Sequence, residues 1–106
     1  MEYCVLAALQ DNPAYVYQLE RLMSAQGVIA GPESSLYPVM TRLLRMGHVS
    51  ASWKPSPSGP PRKYYRITEE GQGALEEFKI VWPVFSDFVS NTMKGSHHAE
   101  NYAAPE

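Results

Sequence analysis

Apolar residues recur at two different periods along this chain, and the changes of period mark its elements. Residues 2 to 10 are apolar and rich in helix formers until Asp11-Asn12-Pro13, where two turn-favouring side chains and a proline of fixed φ predict a helix end. Cys4 lies inside this run and is expected as a small buried hydrophobe. From Tyr15 to Gln26, the residues Val16, Leu19, Leu22 and Met23 recur at helical spacing, and Gly27 stands where a closing glycine belongs. Gly31-Pro32-Glu33-Ser34 supplies the start of a third helix, in which Leu36, Val39, Met40, Leu43 and Leu44 follow the helical repeat until Gly47. The period then drops to two: Val49, Ala51 and Trp53 alternate with polar neighbours, predicting a strand with one buried face. Pro55-Ser56-Pro57-Ser58-Gly59-Pro60-Pro61 is expected as a hairpin loop outside any ladder, because its four prolines lack an amide N–H. A second strand, Arg62 to Ile67, follows with Tyr64, Tyr65 and Ile67, and Thr68 is placed to cap a last helix.

That last helix, about Glu69 to Met93, carries Leu75, Phe78, Trp82, Phe85, Val89 and Thr92 at alternating steps of three and four, a heptad-type seam. Val81 and Phe88 widen the stripe, and so small a domain cannot easily hide that many large apolar groups. A partner helix is expected, most simply from a second copy of the chain. Pro83 removes one donor and collides with the carbonyl four residues earlier, which predicts a kink or local break near Lys79 to Pro83. From residue 94 to Glu106 periodicity is lost, and a flexible tail is expected. The expected fold class is therefore mainly α with a two-stranded β wing, in the order helix, helix, helix, strand, strand, helix.

Length and charge narrow the function. A chain of 106 residues supports one modest core and argues against a two-domain enzyme. The formal charge of −2 points away from nucleic acid, until it is read by position. From Ser34 to Thr68 stand Arg42, Arg45, Lys54, Arg62, Lys63 and Arg66 with no Asp or Glu, whereas Glu69, Glu70, Glu76 and Glu77 follow at once. The basic section is the third helix plus hairpin, the two elements that a winged helix-turn-helix lays on DNA. On the third helix Ser34, Ser35, Tyr37, Thr41 and Arg42 lie mostly off the apolar stripe. Hydroxyls and helix N-terminal amides suit phosphate, and Arg42 suits a guanine edge or another phosphate. Tyr37 is open to two readings, a DNA contact or a ring packed beside the second helix. Arg62 and Lys63 leave a proline-rich tip, where they can follow a DNA backbone or simply sit on an exposed turn.

These residues resemble the PadR family of bacterial transcriptional regulators. The likeness is carried by Ser35-Leu36-Tyr37-Pro38, Arg42-Leu43, Gly47-His48-Val49 and Gly59-Pro60-Pro61-Arg62-Lys63-Tyr64-Tyr65-Arg66-Ile67-Thr68-Glu69-Glu70-Gly71, and it spans about residues 2 to 93. The resemblance implies a winged helix-turn-helix domain over 1–68, a C-terminal dimerisation helix over 69–93 and a tail over 94–106. It also implies a repressor of a palindromic operator, sometimes released by a small aromatic effector. It places Tyr37 at phosphate, keeps Leu36 in the core, and puts Arg62, Lys63 and Tyr64 on the wing motif, where the basic pair meets DNA and the tyrosines fasten the wing. Trp82 falls near the aromatic position of the dimerisation helix. Three departures stand out: Tyr15-Val16-Tyr17-Gln18 replaces the family's usual His-Gly-Tyr-Glu, Ser35 replaces threonine, and Pro83 is unusual in the long helix. Family members also tend to begin several residues earlier, so Met1 starts partway into the usual first helix.

Double-stranded operator DNA and a second copy are thus the expected partners, with Leu75, Phe78, Trp82, Phe85 and Val89 at the dimer seam. Phe78, Trp82 and Phe85 form either an effector site for a small aromatic molecule or a closed dimer core. The alternative function is a winged-helix protein-interaction module that does not read DNA sequence, which the overall negative charge favours slightly. Catalysis is not expected. His48, His97 and His98 have no carboxylate at a useful spacing, the single cysteine excludes an internal disulfide framework and a cysteine-based zinc site, and no phosphate-binding or hydrolase motif is present. No cofactor or metal is expected. The longest apolar run, Cys4 to Leu9, is far short of the roughly 18–20 residues of a membrane span, and no charged n-region precedes it; a cytoplasmic protein is expected.

Overall fold

The computed structural model describes residues 1–29 and 36–95. Its elements are α1 (Glu2–Ala8), α2 (Val16–Ala25), α3 (Tyr37–Arg45), β1 (Val49–Ser56), β2 (Gly59–Ile67) and α4 (Glu69–Lys94), in the order that the periodicity predicts. The chain forms two compact units, Met1–Leu75 and a second that begins at Glu76. The first unit extends past Thr68 because Gly71 and Leu75, in the first turns of α4, are buried in it.

The core of this unit is built from the inward faces of three short helices. Val5, Leu6 and Leu9 come from α1 and its end, Val16, Leu19 and Met23 from α2, and Val39, Met40 and Leu43 from α3, joined by Leu36, Val49, Tyr65 and Leu75. Two expected core members are not in it. Cys4 is exposed, because the 100° step from Val5 turns it away from the face that Val5, Leu6 and Leu9 share, and Leu22 is 46% exposed on the outer side of α2.

Both α2 and α3 end in the same way. Gly27 and Gly47 take φ of 78° and 77°, a left-handed conformation that a residue with a Cβ rarely adopts. The next amide then reaches back over the end of each helix, Val28 to the Met23 carbonyl at 2.8 Å and His48 to the Leu43 carbonyl at 2.9 Å. At the second of these ends α4 is attached. Thr68 Oγ1 donates to the Gly47 carbonyl (2.6 Å) and accepts from the Gly71 amide (3.0 Å), while the Thr68 amide donates to the His48 carbonyl (3.0 Å). Thr68 is therefore the N-cap of α4, as its sequence position suggests, and also a tie to α3.

The wing is an antiparallel pair running from Val49 opposite Ile67 to Lys54 opposite Arg62 and Ser56 opposite Gly59. The expected proline loop is corrected here: Pro55 belongs to β1, Pro60 and Pro61 to β2, and the strands end only at Ser56 and Gly59. A two-stranded ribbon has no central strand, and the register slips between Lys54 and Ser56, so the residues without N–H sit at an irregularity where no ladder donor is required. Trp53 is likewise not on a buried face: it is 67% exposed, because only the root of the wing, Val49 and Tyr65, reaches the core. Tyr65 is also paired on its other side, exchanging backbone hydrogen bonds with Ala14 at 2.8 and 3.1 Å.

Of the expected kink or local break near Lys79 to Pro83, the break does not occur, since α4 runs through Pro83 as one helix. Proline deprives a single carbonyl of its partner, and the turns around it are bridged by Phe78 stacked on Trp82 (5.5 Å) and Trp82 against Phe85 (5.8 Å).

Gly71 and Gly73 give opposite expectations. A Cβ on Gly71 would collide with the His48 carbonyl, whereas nothing lies within 4 Å of one on Gly73. Gly71→Ala is expected to lower the urea midpoint, by about 1–3 kcal/mol of stability. Gly73→Ala is expected to raise it, by about 0.5–1 kcal/mol.

Candidate nucleic-acid interface

α3 divides its residues cleanly between core and solvent. Val39, Met40 and Leu43 are buried, while Tyr37, Thr41, Arg42 and Arg45 are exposed. Tyr37 is 61% exposed, so its ring lies largely outside the core. The spacing of Tyr37, Thr41 and Arg45 by four puts them in one outward row, and Arg45 joins the expected residues on that ground. Ser34 and Ser35, and the expected helix start at Gly31-Pro32-Glu33, lie outside the described residues.

Two features of the N-terminal end of α3 change its expected chemistry. The Leu36 amide donates to the Glu20 carboxylate at 3.3 Å, and Pro38 has no amide N–H at all, so neither position offers a donor to phosphate. The negative charge of Glu20 also compensates the positive end of the helix. Arg42 is not idle either. Its Nε donates to Glu2 Oε2 on α1, and this hydrogen bond is the main reason that the Glu2 carboxyl is held below its ordinary range.

The wing holds its cations by aromatic rings rather than by carboxylates. Arg62 lies 4.5 Å over the Tyr15 ring and donates to its hydroxyl at 2.8 Å. Lys63 stands 5.9 Å from the Trp53 ring centre and 5.6 Å from that of Tyr65, and Lys54 stands 5.5 Å from Tyr64. Tyr64 in turn meets Tyr15 edge to face at 5.3 Å, which fastens the wing to the start of α2. Across the strands Lys54 is directly opposite Arg62, an arrangement of like charges that costs stability unless an anion lies over it. Among the described residues Arg62 and Lys63 form no ion pair.

The rings and cations converge on a groove of about 290 Å³ between the start of α2, the start of α3 and the wing. Tyr37, Arg62 and Lys63, expected from sequence, line it together with Tyr15, Tyr17 and Trp53. The last three are legible in the sequence only in part. Tyr15 and Tyr17 flank the buried Val16 at the departure from the usual second-helix motif, and the alternation of β1 points Trp53 the wrong way. Thr41 and Arg42 are not among the groove residues, nor is Tyr64, which serves the wing from beside it.

In the second unit, Trp82 and Phe85 are 46% and 60% exposed in the single chain, and Phe78 and Val89 are half-buried. Ile80, Val81, Val84 and Phe88 are exposed as well. Leu75, the first residue of the seam, is instead buried in the core of the first unit. Among the described residues no helix is long and apolar enough to cross a membrane, and no cluster of three or more His, Cys, Asp or Glu is arranged to hold a metal.

The PadR-like family of transcriptional regulators matches residues 5–77. The chain is 35% identical to a PadR family transcriptional regulator from Eggerthella lenta, covering 90% of this chain and 82% of that one, with a TM-score of 0.74 between the structures. It is equally 35% identical to a PadR-like transcriptional regulator from Bacillus cereus, over 90% and 92% of the two chains, again with a TM-score of 0.74. An uncharacterized protein of Lysinibacillus sphaericus is 26% identical over 97 residues, 90% of this chain and 89% of its own length.

The Glu2–Arg42 pair sets a test of this face. Glu2→Gln releases the arginine without removing it, and duplex affinity measured by fluorescence anisotropy is expected to rise by about two- to fivefold. Because the carboxyl is held low, the contribution of the pair to stability is present above the ordinary carboxylate range. It is lost as pH falls through the lowered value.

Proposed function

The chain belongs to the PadR-like family of transcriptional regulators, and from that premise we propose that it is a dimeric, ligand-responsive repressor that binds a palindromic operator. The observation that supports this reading best is the pairing of an exposed polar row on α3 with a basic wing: Tyr37, at the head of the row, and Arg62 and Lys63 of the wing line one groove that carries no carboxylate among its described residues. In this reading Tyr37, Thr41, Arg42 and Arg45 enter the major groove from α3. Arg62 and Lys63 lie against phosphate, and Tyr64 holds the wing in place. Ser34 and Ser35 precede α3 in sequence and belong to the same proposal.

Dimerisation is assigned to α4 beyond Leu75. Trp82, Phe85, Ile80, Val84 and Phe88 are large apolar residues left exposed along α4, and a second copy is the simplest cover for them. Two copies then place two α3 helices about 34–36 Å apart, one turn of DNA. Phe78, Trp82 and Phe85 are the proposed effector contacts, since aromatic groups stack on flat ligands.

Anisotropy with the protein's own promoter across a salt series tests the DNA reading. Arg62→Ala with Lys63→Ala is expected to weaken binding at least about tenfold and to flatten the log–log salt slope by about 0.9 for each phosphate no longer neutralised. Unchanged function in that variant favours the protein-interaction alternative instead. Phe85→Glu is expected to shift sedimentation from dimer to monomer, and a monomeric wild-type chain at micromolar concentration contradicts the dimer.

A further inference from the structure

The groove beside the wing holds more exposed aromatic surface than a duplex can use. Tyr17, Tyr37 and Trp53 line it and are 58%, 61% and 67% exposed, so three large rings meet solvent at one concave place. Paired bases are stacked on one another and show only their edges in the grooves, which leaves no base face for these rings. Cations are interleaved with the rings. Lys63 stands 5.9 Å from the Trp53 ring centre and 5.6 Å from that of Tyr65, and Arg62 lies 4.5 Å over Tyr15 and donates to its hydroxyl at 2.8 Å. Both are oriented by aromatic partners, and neither is paired with a carboxylate among the described residues. Lys54, opposite Arg62 across the strands and 5.5 Å from the Tyr64 ring, carries the row of positive charge beyond the groove along the wing.

Rings that take base faces, alternating with cations that take phosphates, are the combination that holds an unpaired nucleic-acid strand. We propose that this groove binds single-stranded DNA, with unpaired bases stacked on Tyr17, Tyr37 and Trp53 and the adjoining phosphates against Arg62, Lys63 and Lys54. A polymer fits these residues better than a free base or nucleotide, because the cations continue past the groove and match a chain of phosphates. Stacking accepts every base, so little sequence preference is expected, in contrast to readout of base edges by α3. The choice of DNA rests on the proposed operator reading: Tyr37 lines the groove and also heads the α3 row, so a strand unpaired beside a bound duplex, as in a melted promoter, enters the groove directly. The site is built wholly from the first unit.

The test uses the full chain with a labelled oligothymidylate of about twelve nucleotides, an abasic strand of the same length, the matching oligouridylate and a random duplex, each followed by anisotropy at low salt. Oligothymidylate is expected to bind at least about tenfold more tightly than the abasic strand, which keeps the phosphates and lacks the bases. Trp53→Ala is expected to weaken oligothymidylate at least about fivefold while duplex affinity stays within about twofold, and Trp53→Phe to restore the single-strand affinity. ¹⁵N-correlated NMR follows the indole N–H signals of the two tryptophans, assigned with Trp53→Phe, and oligothymidylate is expected to move the Trp53 signal and not that of Trp82. Equal affinity for the base-bearing and abasic strands, an equal loss of single-strand and duplex binding in Trp53→Ala, or a shift confined to Trp82 overturns the site. Tighter binding of oligouridylate than of oligothymidylate overturns the assignment to DNA. The duplex arm reads the operator face by itself, so its failure is seen separately from that of the single-strand site.

Discussion

The fold depends on a small knot of hydrogen bonds at the end of α3. Gly47 reverses the chain there, and Thr68, 21 positions further on, returns to the same point, bonding the Gly47 and His48 carbonyls with its hydroxyl and its amide. Both feet of the wing are thereby fixed to the helix whose outer face carries Tyr37, Thr41 and Arg45. A lone two-stranded ribbon is marginal in water, so this anchorage, with the Ala14 to Tyr65 pairing, is what makes the wing a defined structure. Gly71 completes the knot: only a residue without Cβ lets α4 start against the His48 carbonyl.

Charge on this face is handled by partners that hold it without cancelling it. Arg62, Lys63 and Lys54 each lie near a tyrosine or tryptophan ring, and Lys54 and Arg62 face each other across the strands. Like charges in that position oppose folding slightly and favour an anion. Where carboxylates do appear, they act at the edges of the site: Glu20 on the Leu36 amide and Glu2 on Arg42. Glu2 thus sets how readily Arg42 is released, and Glu20 removes one helix-end donor from the set that phosphate could use.

The two units use apolar residues in opposite ways. The first buries the aliphatic residues on the inward faces of its helices, Val5, Leu6 and Leu43 among them, and leaves Tyr17, Tyr37 and Trp53 exposed at the groove. The second exposes its large apolar groups along most of α4, and Pro83 does not interrupt that surface because one missing hydrogen bond is insufficient to end a helix supported on both sides.

The element order, the two glycine helix ends and the Thr68 cap are legible in the sequence because each is a local matter: hydrophobic period, a φ that only glycine tolerates easily, and a hydroxyl within reach of its own helix. The uneven charge is legible for the same reason, as is the Leu-Tyr-Pro and Arg-Lys-Tyr-Tyr pattern. What local pattern misplaces is burial at the margins. Alternation cannot tell that a wing leaves the core after its root, so it turns Trp53 inward. An apolar run does not say which residue of α1 faces out, so it turns Cys4 inward too, and four prolines suggest a loop where an edge ribbon accommodates three of them. The groove itself is decided only by tertiary structure. It joins Tyr15 and Tyr17 to Tyr37, Trp53, Arg62 and Lys63, far along the chain, and no spacing encodes which exposed rings meet once three helices and a hairpin close on one core.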